Sequence, residues 1–231
     1  MLINANFDKK LVVPEMKDLK QTLSATRTDY DSGILTEENL IRDPFEQFKS
    51  WMNLAIQHNV PEINAMTLST VDTAGRPVSR IVLLKGLEEK GFVFFTNYES
   101  RKGHELTATP YAALNFFWPA LQKQVRIEGK VEKIEESASD AYFKSRPRES
   151  QIGAWSSSQS TIIESRDVLE QKFTALTNQF EGKEIPKPEY WGGFCVIPYR
   201  MEFWQGRPSR LHDRFQFELI NNNWKIDRLS P

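Results

Sequence analysis

The sequence predicts an α+β fold, mostly antiparallel β, in which the strands curl into a barrel and a few helices lie at its periphery. Short runs of alternating apolar and polar residues recur along the 231 residues, whereas helical periodicity is confined to a few stretches. No low-complexity linker and no internal repeat divides the chain, which favours a single core. We therefore expect a flexible amino-terminal arm over the polar, irregular residues 1–40 and one domain over residues 41–231.

Composition narrows the functional classes. The 30 Lys and Arg residues nearly balance the 31 Asp and Glu residues, so the net charge of −1 argues against a general polyanion-binding surface for nucleic acid. Aromatic residues make up 12% of the chain and need burial or a ligand. The single cysteine, Cys195, excludes an internal disulfide, and with three His a dedicated metal site is not expected. No apolar run could span a bilayer or form a signal core, so we expect a soluble, cytoplasmic protein.

The compact fold is predicted to begin with a helix near position 43. Asp43 can cap this helix, Pro44 suits its first position, and Glu46 lies where a capping box places an acid. Helical spacing predicts a buried face made of Phe45, Phe48, Met52 and Ala55.

A hairpin and two further elements follow. Residues 65–69 alternate with period two, residues 72–77 supply a turn, and residues 78–85 form the returning strand. A third strand over residues 91–96 leads into a short helix capped by Ser100.

The second half of the chain is predicted to be richer in strands. Residues 111–118 and 122–134 form two strands, and alternate apolar positions give the second strand one core-facing side, formed by Val125, Ile127 and Val131. Two helices are expected, one from residue 137 to near Arg146, where a proline follows, and a longer one over residues 160–180. Three strands close the chain, with a turn at residues 221–223 between the last two; they cover residues 194–205, 215–220 and 224–229.

Common nucleotide and hydrolase signatures are missing from the sequence, which has no P-loop, no GxGxxG after a strand, no GxSxG and no HExxH.

Three clusters of basic residues on short loops remain as candidates for a functional site. In the first, Arg80 and Lys85 are an odd number of residues apart and point to opposite faces of a regular strand, so they imply two anionic groups or a strand end. Arg101 and Lys102 occupy a helix first turn, where free backbone donors favour an anion. The alternative is that all four are solvated cations at a barrel rim.

The second cluster combines a phenol, a guanidinium and a hydroxyl. Tyr142 and Arg146 are four residues apart and share a helix face, and the proline at position 147 turns the chain toward Ser150, so the three groups could converge on one phosphate. The alternative is a helix end that carries an arginine and leads into a Ser-rich surface loop.

The third cluster lies in residues 202–214. Arg210, His212 and Arg214 are spaced by two and would project together if the chain is extended, which concentrates positive charge unless an anion or an electron-rich ring lies opposite. A lone His is more often structural than catalytic. A His between two Arg residues, beside an Asp and a Gly-Arg-Pro turn, favours function.

Together the three clusters resemble the pyridoxamine 5′-phosphate oxidase family, whose members are flavin enzymes that make pyridoxal 5′-phosphate. The likeness covers roughly residues 27–231 in family order, and blocks of this length rarely recur by chance. The matching segments are residues 80–85 (RIVLLK), 100–102 (SRK), 122–129 (QKQVRIEG), 142–155 (YFKSRPRESQIGAW), 190–193 (YWGG), 202–214 (EFWQGRPSRLHDR) and 224–231 (WKIDRLSP).

The resemblance implies an FMN-binding split β-barrel that forms a homodimer, with FMN at each subunit interface. It also implies the oxidation of pyridoxamine 5′-phosphate and pyridoxine 5′-phosphate to pyridoxal 5′-phosphate by O2, with release of H2O2, in vitamin B6 metabolism. The implied flavin contacts, contributed by both chains, are Arg80, Ile81, Val82, Leu83, Leu84, Lys85, Phe95, Thr96, Arg101, Lys102, Gln124, Gln159, Ser160, Trp204 and Arg214.

The same resemblance implies a substrate site. Its phosphate cradle would consist of Lys85, Tyr142, Arg146 and Ser150. The implied catalytic pair above the substrate ring is Arg210 and His212, with Leu211 between them, and Arg27 and Tyr30 match arm residues that can fold over the site.

Two positions depart from the family pattern. Many relatives carry Tyr where this chain has Phe95, which removes a phenol. Gly103 lies where a helix former is expected, so a looser first turn is predicted there.

Two other functions compete with this interpretation. Another split-barrel flavoprotein, such as a flavin reductase, would keep the flavin but lack the phosphate cradle and the Arg-His pair. A binder of single-stranded nucleic acid would also place Arg and aromatic residues on a barrel, although the net charge argues against it.

Overall fold

The structure is a computed structural model that describes residues 19–231. Within these residues nine strands form one sheet, in which every paired neighbour is antiparallel. The sheet order is β2-β1-β5-β6-β7-β4-β3, and the hairpin β8-β9 adds to β7. The strands are β1 (Ala65–Val71), β2 (Pro77–Leu83), β3 (Gly86–Leu87), β4 (Phe92–Asn97), β5 (Tyr111–Trp118), β6 (Lys123–Lys133), β7 (Trp191–Gln205), β8 (Asp213–Ile220) and β9 (Asn223–Arg228).

The described helices are short and lie around this sheet. They are α1 (Leu19–Ala25), α2 (Pro44–Gln57), α3 (Arg101–Ala108), α4 (Glu136–Ser145), α5 (Arg148–Ser156) and α6 (Arg166–Gln179). This arrangement confirms the predicted fold class. No helix among residues 19–231 is long and apolar enough to cross a membrane.

The long strand β7 organises the sheet. One edge pairs with β6 along its whole length, while the other edge pairs with β4 near its start and with β8 near its end. Glu128 pairs with Arg200 and Gly129 with Pro198, so Tyr199 is an extra residue that bulges β7, and a Cβ on Gly129 would lie 2.5 Å from the carbonyl oxygen of Ile197. Glycine is therefore required where the two backbones approach. Buried and exposed residues alternate along β6 on both sides of this point, and the predicted core-facing residues Val125, Ile127 and Val131 are buried.

Helix α2 covers one end of the core. The Asp43 carboxylate accepts hydrogen bonds from the backbone N–H groups of Phe45 and Glu46, which confirms the predicted cap. Phe48 and Ala55 are buried as predicted, but the buried face also includes Trp51.

Two helix predictions need correction. The helix predicted over residues 160–180 begins at Arg166, so Ile162 lies before the helix, where it is fully exposed. Residues 148–156, for which the sequence predicts no helix, form α5. The physical reason is that Pro147 ends α4 and also pre-sets the start of the next helix.

The closing turn is confirmed, because Asn221 and Asn222 both adopt positive φ, as a two-residue hairpin turn requires.

The segment before α2 runs along the barrel. Leu35 and Leu40 belong to the main core, and Ser32 hydrogen-bonds to the side chain of Gln122. The predicted division of the chain at residue 40 stays a prediction, and residues 1–18 of the predicted arm lie outside the described part.

Candidate functional site

A cavity of about 490 Å³ opens between β2, β4 and the α4-α5 pair. This volume is typical of small-molecule sites. Its walls bring together segments that are far apart in sequence, and they consist of Ile81, Val82, Leu83, Lys85, Phe95, Thr96, Asn97, Lys102, Tyr142, Arg146, Ser150, Gly153, Ala154, Ser157, Gln159 and Trp191. We call this cavity the cationic pocket, because it contains Lys85, Lys102 and Arg146 and no acidic residue.

Three stacked rings form one wall of the cationic pocket. The ring of Phe95 lies 3.9 Å from that of Tyr142 at an interplanar angle of 15°, and 5.3 Å from that of Trp191 at 10°. Gly193 pairs with Phe95 across β4 and β7, and a Cβ there would lie 3.0 Å from the Phe95 ring. The glycine therefore leaves the space in which the rings lie flat against each other. Phe95 therefore contributes an apolar ring face to this wall, and it lacks the hydroxyl group that a Tyr would place there.

Arg146 follows α4 and presents its guanidinium to the cationic pocket. The group lies over Trp191, 4.7 Å from the ring centroid, and 5.6 Å from the Phe143 centroid. Its Nη1 is buried and has no hydrogen-bond partner among the described residues. Burial lowers the pKa of Arg146, an effect that the neighbouring Tyr142 partly offsets. A buried donor without a partner costs about 1–3 kcal/mol, and an anionic ligand would remove this cost.

Lys102 forms a second donor group in the cationic pocket. Its Nζ donates to Gln159 Oε1 at 2.6 Å and to Thr96 Oγ1 at 3.1 Å, and it lies 3.3 Å from Ser100 Oγ. Burial lowers the pKa of Lys102, and the charge of Arg80 lowers it further, whereas Glu105 raises it. Lys102 thus lies in the first turn of α3, where the free backbone N–H groups favour an anion, and its own hydrogen-bond partners are neutral.

Arg80 and Arg101 lie behind this group rather than in the cationic pocket. Arg80 Nη2 is 2.8 Å from Glu105 Oε2, and Arg101 Nε is 2.8 Å from Glu105 Oε1. Thr70 Oγ1 also donates to Glu105 at 2.5 Å. The buried carboxylate therefore fixes both arginines, and its pKa is lowered because these hydrogen bonds outweigh its burial. Arg101 and Ser160 line an adjoining cavity of about 550 Å³ that shares Gln159 with the cationic pocket.

The prediction of a loose first turn at Gly103 is wrong. Ser100 Oγ accepts a hydrogen bond from the Gly103 N–H, and Gly103 is buried in α3. A Cβ at this position would lie 2.0 Å from the carbonyl oxygen of Tyr98. Glycine therefore lets the helix start closely against the chain that precedes it, so its first turn is tight rather than loose.

The third cluster forms a separate region, which we call the Arg-His turn: residues 207–214 with Tyr30 and Trp204. The His212 ring lies 4.6 Å from that of Trp204 and 5.9 Å from that of Tyr30. His212 Nδ1 accepts a hydrogen bond from the Arg207 backbone N–H, so the neutral ring carries its proton on Nε2. Burial lowers the pKa of His212, and Arg210 and Arg214 lower it further.

The Arg-His turn is not extended at Ser209 and Arg210, so the extended chain that the prediction assumed is wrong. Ser209 and Arg210 both adopt positive φ, 57° and 62°. Non-glycine residues in this region carry backbone strain of about 1–2 kcal/mol each. Arg210 and Leu211 are exposed, while Arg214 Nε is bound to Glu202 at 2.8 Å. The prolyl turn precedes β8, and Arg210 and Arg214 remain near enough to His212 for their charges to lower its pKa.

Three predicted flavin contacts form a row across β6, β7 and β8, and two of them, Trp204 and Arg214, belong to the Arg-His turn. Gln124 pairs with Trp204 across β6 and β7, and Trp204 pairs with Arg214 across β7 and β8. Trp204 and Trp191 are 13 positions apart on β7, which corresponds to roughly 40 Å of strand path. The cationic pocket and the Arg-His turn therefore lie at opposite ends of one strand.

The predicted site residues thus fall into groups that one protomer does not bring together. Those in the cationic pocket are Ile81, Val82, Leu83, Lys85, Phe95, Thr96, Lys102, Tyr142, Arg146, Ser150 and Gln159. Leu84 turns instead toward the main core, and Arg27 is exposed on the arm. The residues that sequence reasoning missed are Asn97, Gly153, Ala154, Ser157 and Trp191. The Trp-Gly-Gly sequence that starts β7 was the available signal for Trp191, since two glycines in a strand mark a close approach.

Comparisons with known proteins agree with this geometry. A family model described as pyridoxamine 5′-phosphate oxidase matches residues 52–180, and one described as the pyridoxine 5′-phosphate oxidase C-terminal dimerisation region matches residues 191–231. A pyridoxine/pyridoxamine 5′-phosphate oxidase of a Synechocystis strain is 55% identical over 91% of this chain and 98% of its own length. The protein of that name from Paraburkholderia phytofirmans is 51% identical over 91% and 99%.

Solved structures share the fold. PhzG from Burkholderia lata, described in complex with tetrahydrophenazine-1-carboxylic acid, matches with a TM-score of 0.82 and 30% identity, over 88% of this chain and all of that chain. An FMN-binding protein from Nostoc punctiforme, described as related to pyridoxamine 5′-phosphate oxidase, matches with a TM-score of 0.66 and 16% identity, over 82% and 98%. The likeness to the second shows the fold alone.

Proposed function

This chain belongs to the pyridoxamine 5′-phosphate oxidase family, and we propose that it oxidises pyridoxamine 5′-phosphate and pyridoxine 5′-phosphate to pyridoxal 5′-phosphate, with FMN as its flavin. It is a flavin-dependent oxidoreductase of the split-barrel fold. The observation that carries the choice of substrate is Arg146, whose buried Nη1 lacks a partner and lies in one cavity with Lys85, Tyr142 and Ser150. This donor set suits the dianion of a phosphate monoester.

The described residues also fit FMN. Lys102 is half-buried at the start of α3, and no carboxylate hydrogen-bonds to its Nζ among the described residues, so it can hold a second phosphate. Arg80 and Arg101, held by Glu105, add positive charge beside it. The exposed apolar side chains of Ile81 and Leu83 lie along the cavity and offer area to a flat ring system. FMN, when bound, supplies the two-electron acceptor of the oxidation, and O2 takes up the electrons with release of H2O2.

A homodimer completes the site in this proposal. The region that matches the dimerisation model contains β7, β8 and β9, and hence Trp204 and residues 207–214 of the Arg-His turn. One protomer places these groups at the far end of β7 from its own cationic pocket. We propose that the partner's copy of the Arg-His turn closes each cationic pocket. The copies of Gln124, Trp204 and Arg214 on the partner subunit would then contact the flavin in that pocket. FMN then lies at the subunit interface.

Arg210 and His212 are proposed to act on the substrate ring. Arg210 is exposed, and its guanidinium makes no ion pair among the described residues, so it is available to a ligand brought by the other subunit. His212 is neutral near pH 7 and presents an Nε2–H, because Nδ1 is engaged by Arg207. Together they orient the ring and hold the proton of the amine or hydroxyl group, while Tyr30 packs against His212 from the arm. Phosphate binding at Arg146 fixes the substrate far from its reacting carbon.

The test uses the purified full chain. The expected result is a yellow protein from which heat releases FMN, identified by chromatography against FAD and riboflavin standards, and which forms H2O2 and pyridoxal 5′-phosphate from either phosphorylated substrate. The proposal would be refuted by a colourless protein, or by a protein that forms peroxide with neither substrate after FMN is added. Cell fractionation tests the cytoplasmic location that the proposal includes.

A second candidate function comes from the similarity to PhzG, whose structure holds a tetrahydrophenazine carboxylate. Such a substrate has no phosphate and would not need Arg146 with Tyr142 and Ser150. If the chain oxidises a tetrahydrophenazine carboxylate faster than it oxidises pyridoxamine 5′-phosphate, that second function replaces the proposed one.

A further inference from the structure

We infer that Trp191 is a positioning residue for Arg146: its indole face holds the guanidinium while leaving the N–H donors free for the substrate phosphate. This inference rests on the proposed function. It concerns a residue that contributes no polar group of its own to the ligand and that makes the phosphate contact possible through Arg146.

Arg146 differs from the other arginines near the site in what holds it. Arg80 and Arg101 are bound to Glu105, and Arg214 is bound to Glu202. The Arg146 guanidinium makes no hydrogen bond and no ion pair among the described residues. Its fixed neighbours are the faces of Trp191 and Phe143.

An aromatic face can hold a cation without occupying its donors. The attraction is between the positive charge and the negative face of the ring, so all five N–H groups of the guanidinium stay available. A carboxylate partner would use two of these donors and would compete with the incoming phosphate for the charge. The arrangement at Arg146 therefore suits a group that must bind and release an anion.

Trp191 is itself held on several sides. Its ring stacks on Phe95 and meets Phe143 edge-on at 5.1 Å. Its backbone N–H donates to Pro188, and its carbonyl oxygen accepts from Lys187 Nζ. As the first residue of β7, it is fixed by the sheet on one side and by α4 on the other, so it offers a rigid surface.

The test is a double-mutant cycle in the flavin-loaded enzyme, with Trp191→Leu, Arg146→Ala and the double variant, assayed with pyridoxamine 5′-phosphate. We expect Trp191→Leu to raise KM by about 5- to 30-fold with kcat nearly unchanged, the range of a desolvated cation–π contact. In the Arg146→Ala background the same substitution should change KM less than 2-fold. Trp191→Phe, which keeps a ring face, should restore most of the affinity.

Trp155→Leu is the matched control. Trp155 belongs to the same apolar cluster, but it donates its indole N–H to Pro186 and does not line the cationic pocket. Its variant should keep the KM of the parent enzyme. Flavin absorbance and the melting temperature report folding of each variant. If Trp191→Leu does not fold, Trp191→Phe in the two backgrounds performs the same cycle, with an expected 2- to 5-fold rise in KM that vanishes with Arg146→Ala.

The outcomes separate this inference from the proposed function. Equal effects of the Trp191 substitution with and without Arg146 would overturn the inference, as would an unchanged KM in Trp191→Leu. If Arg146→Ala itself leaves KM unchanged, the proposed phosphate contact fails, and the inference fails with it.

Discussion

The cationic pocket and the Arg-His turn use positive charge in different ways. In the pocket, Arg146 and Lys102 are half-buried and held by neutral partners, aromatic rings for one and hydroxyl and amide oxygens for the other. In the turn, Arg210 is exposed on a strained backbone, and Arg214 is paired with Glu202. The pocket therefore has preorganised donors within one chain, whereas the turn presents a cation that has no ligand until another surface reaches it.

The difference indicates that the two regions contribute to different steps, the pocket to substrate binding and the turn to turnover. A preorganised set of donors binds a phosphate with little loss of conformational freedom and so sets affinity. A cation on an exposed turn adds little to binding in one protomer, but under the proposed function it acts on a substrate ring that the partner's pocket brings there. Substitutions in the two regions should therefore change different kinetic constants.

The largest expected effect is in the pocket. Arg146→Ala should raise KM for pyridoxamine 5′-phosphate by on the order of 10- to 1000-fold, because a charge-assisted contact contributes about 1.5–3 kcal/mol or more. Steady-state kinetics with measured flavin content test this. Flavin content should be unaltered, and an unchanged KM would contradict the contact.

The next effect is in the turn. Arg210→Met should lower kcat by about 100-fold, the cost of a misplaced reacting group, while FMN content falls little. Parallel measurements of turnover and of flavin per protomer test this. Equal losses of both would mean that Arg210 holds the flavin rather than the substrate ring.

Mixed dimers test whether the two regions meet across subunits. If each site combines one chain's pocket with the other chain's turn, a dimer of one Arg146→Ala chain and one Arg210→Met chain has one intact site and one doubly altered site. The purified mixed dimer should then show about half of the parent activity, because one of its two sites is intact, although each variant alone is nearly inactive at low substrate concentration. Differently tagged chains, co-expressed and purified through both tags, give the measurement. No recovery would place both regions in the site of one chain.

The smallest effect is electrostatic. The pKa of His212 is lowered by burial and by the charges of Arg210 and Arg214, so its neutral form is favoured over a wider pH range than in a free imidazole. Arg210→Met removes one of these charges, and the pKa of His212 should therefore rise. NMR titration of labelled histidines, with His212 assigned by its loss in His212→Asn, tests this. A fall in the pKa after the substitution would contradict the proposed neighbourhood.

Local patterns predicted much of the fold and part of the site. The Asp43 cap, the strand Tyr111–Trp118 and the core face of β6 follow from interactions within a few residues, and the structure confirms them. The predicted start of the helix over residues 160–180 and the loose turn at Gly103 were wrong: α6 begins at Arg166, and Gly103 lies tightly against the carbonyl group of Tyr98, a close approach that residue type alone does not show. The family resemblance supplied the site residues, but the residues alone gave no sign that Trp191 supports Arg146.

The sequence by itself determined the kinds of groups available: the cations, the phenol, the hydroxyls and the order in which they occur. Tertiary structure decided which cations are neutralised and which stay free. Glu105 is 25 positions from Arg80, and Trp191 is 45 positions from Arg146, so neither contact is encoded in local spacing. Pairing depends on distance in space, and a carboxylate or a ring brought to a guanidinium by the sheet determines whether that charge is neutralised or remains available to a phosphate.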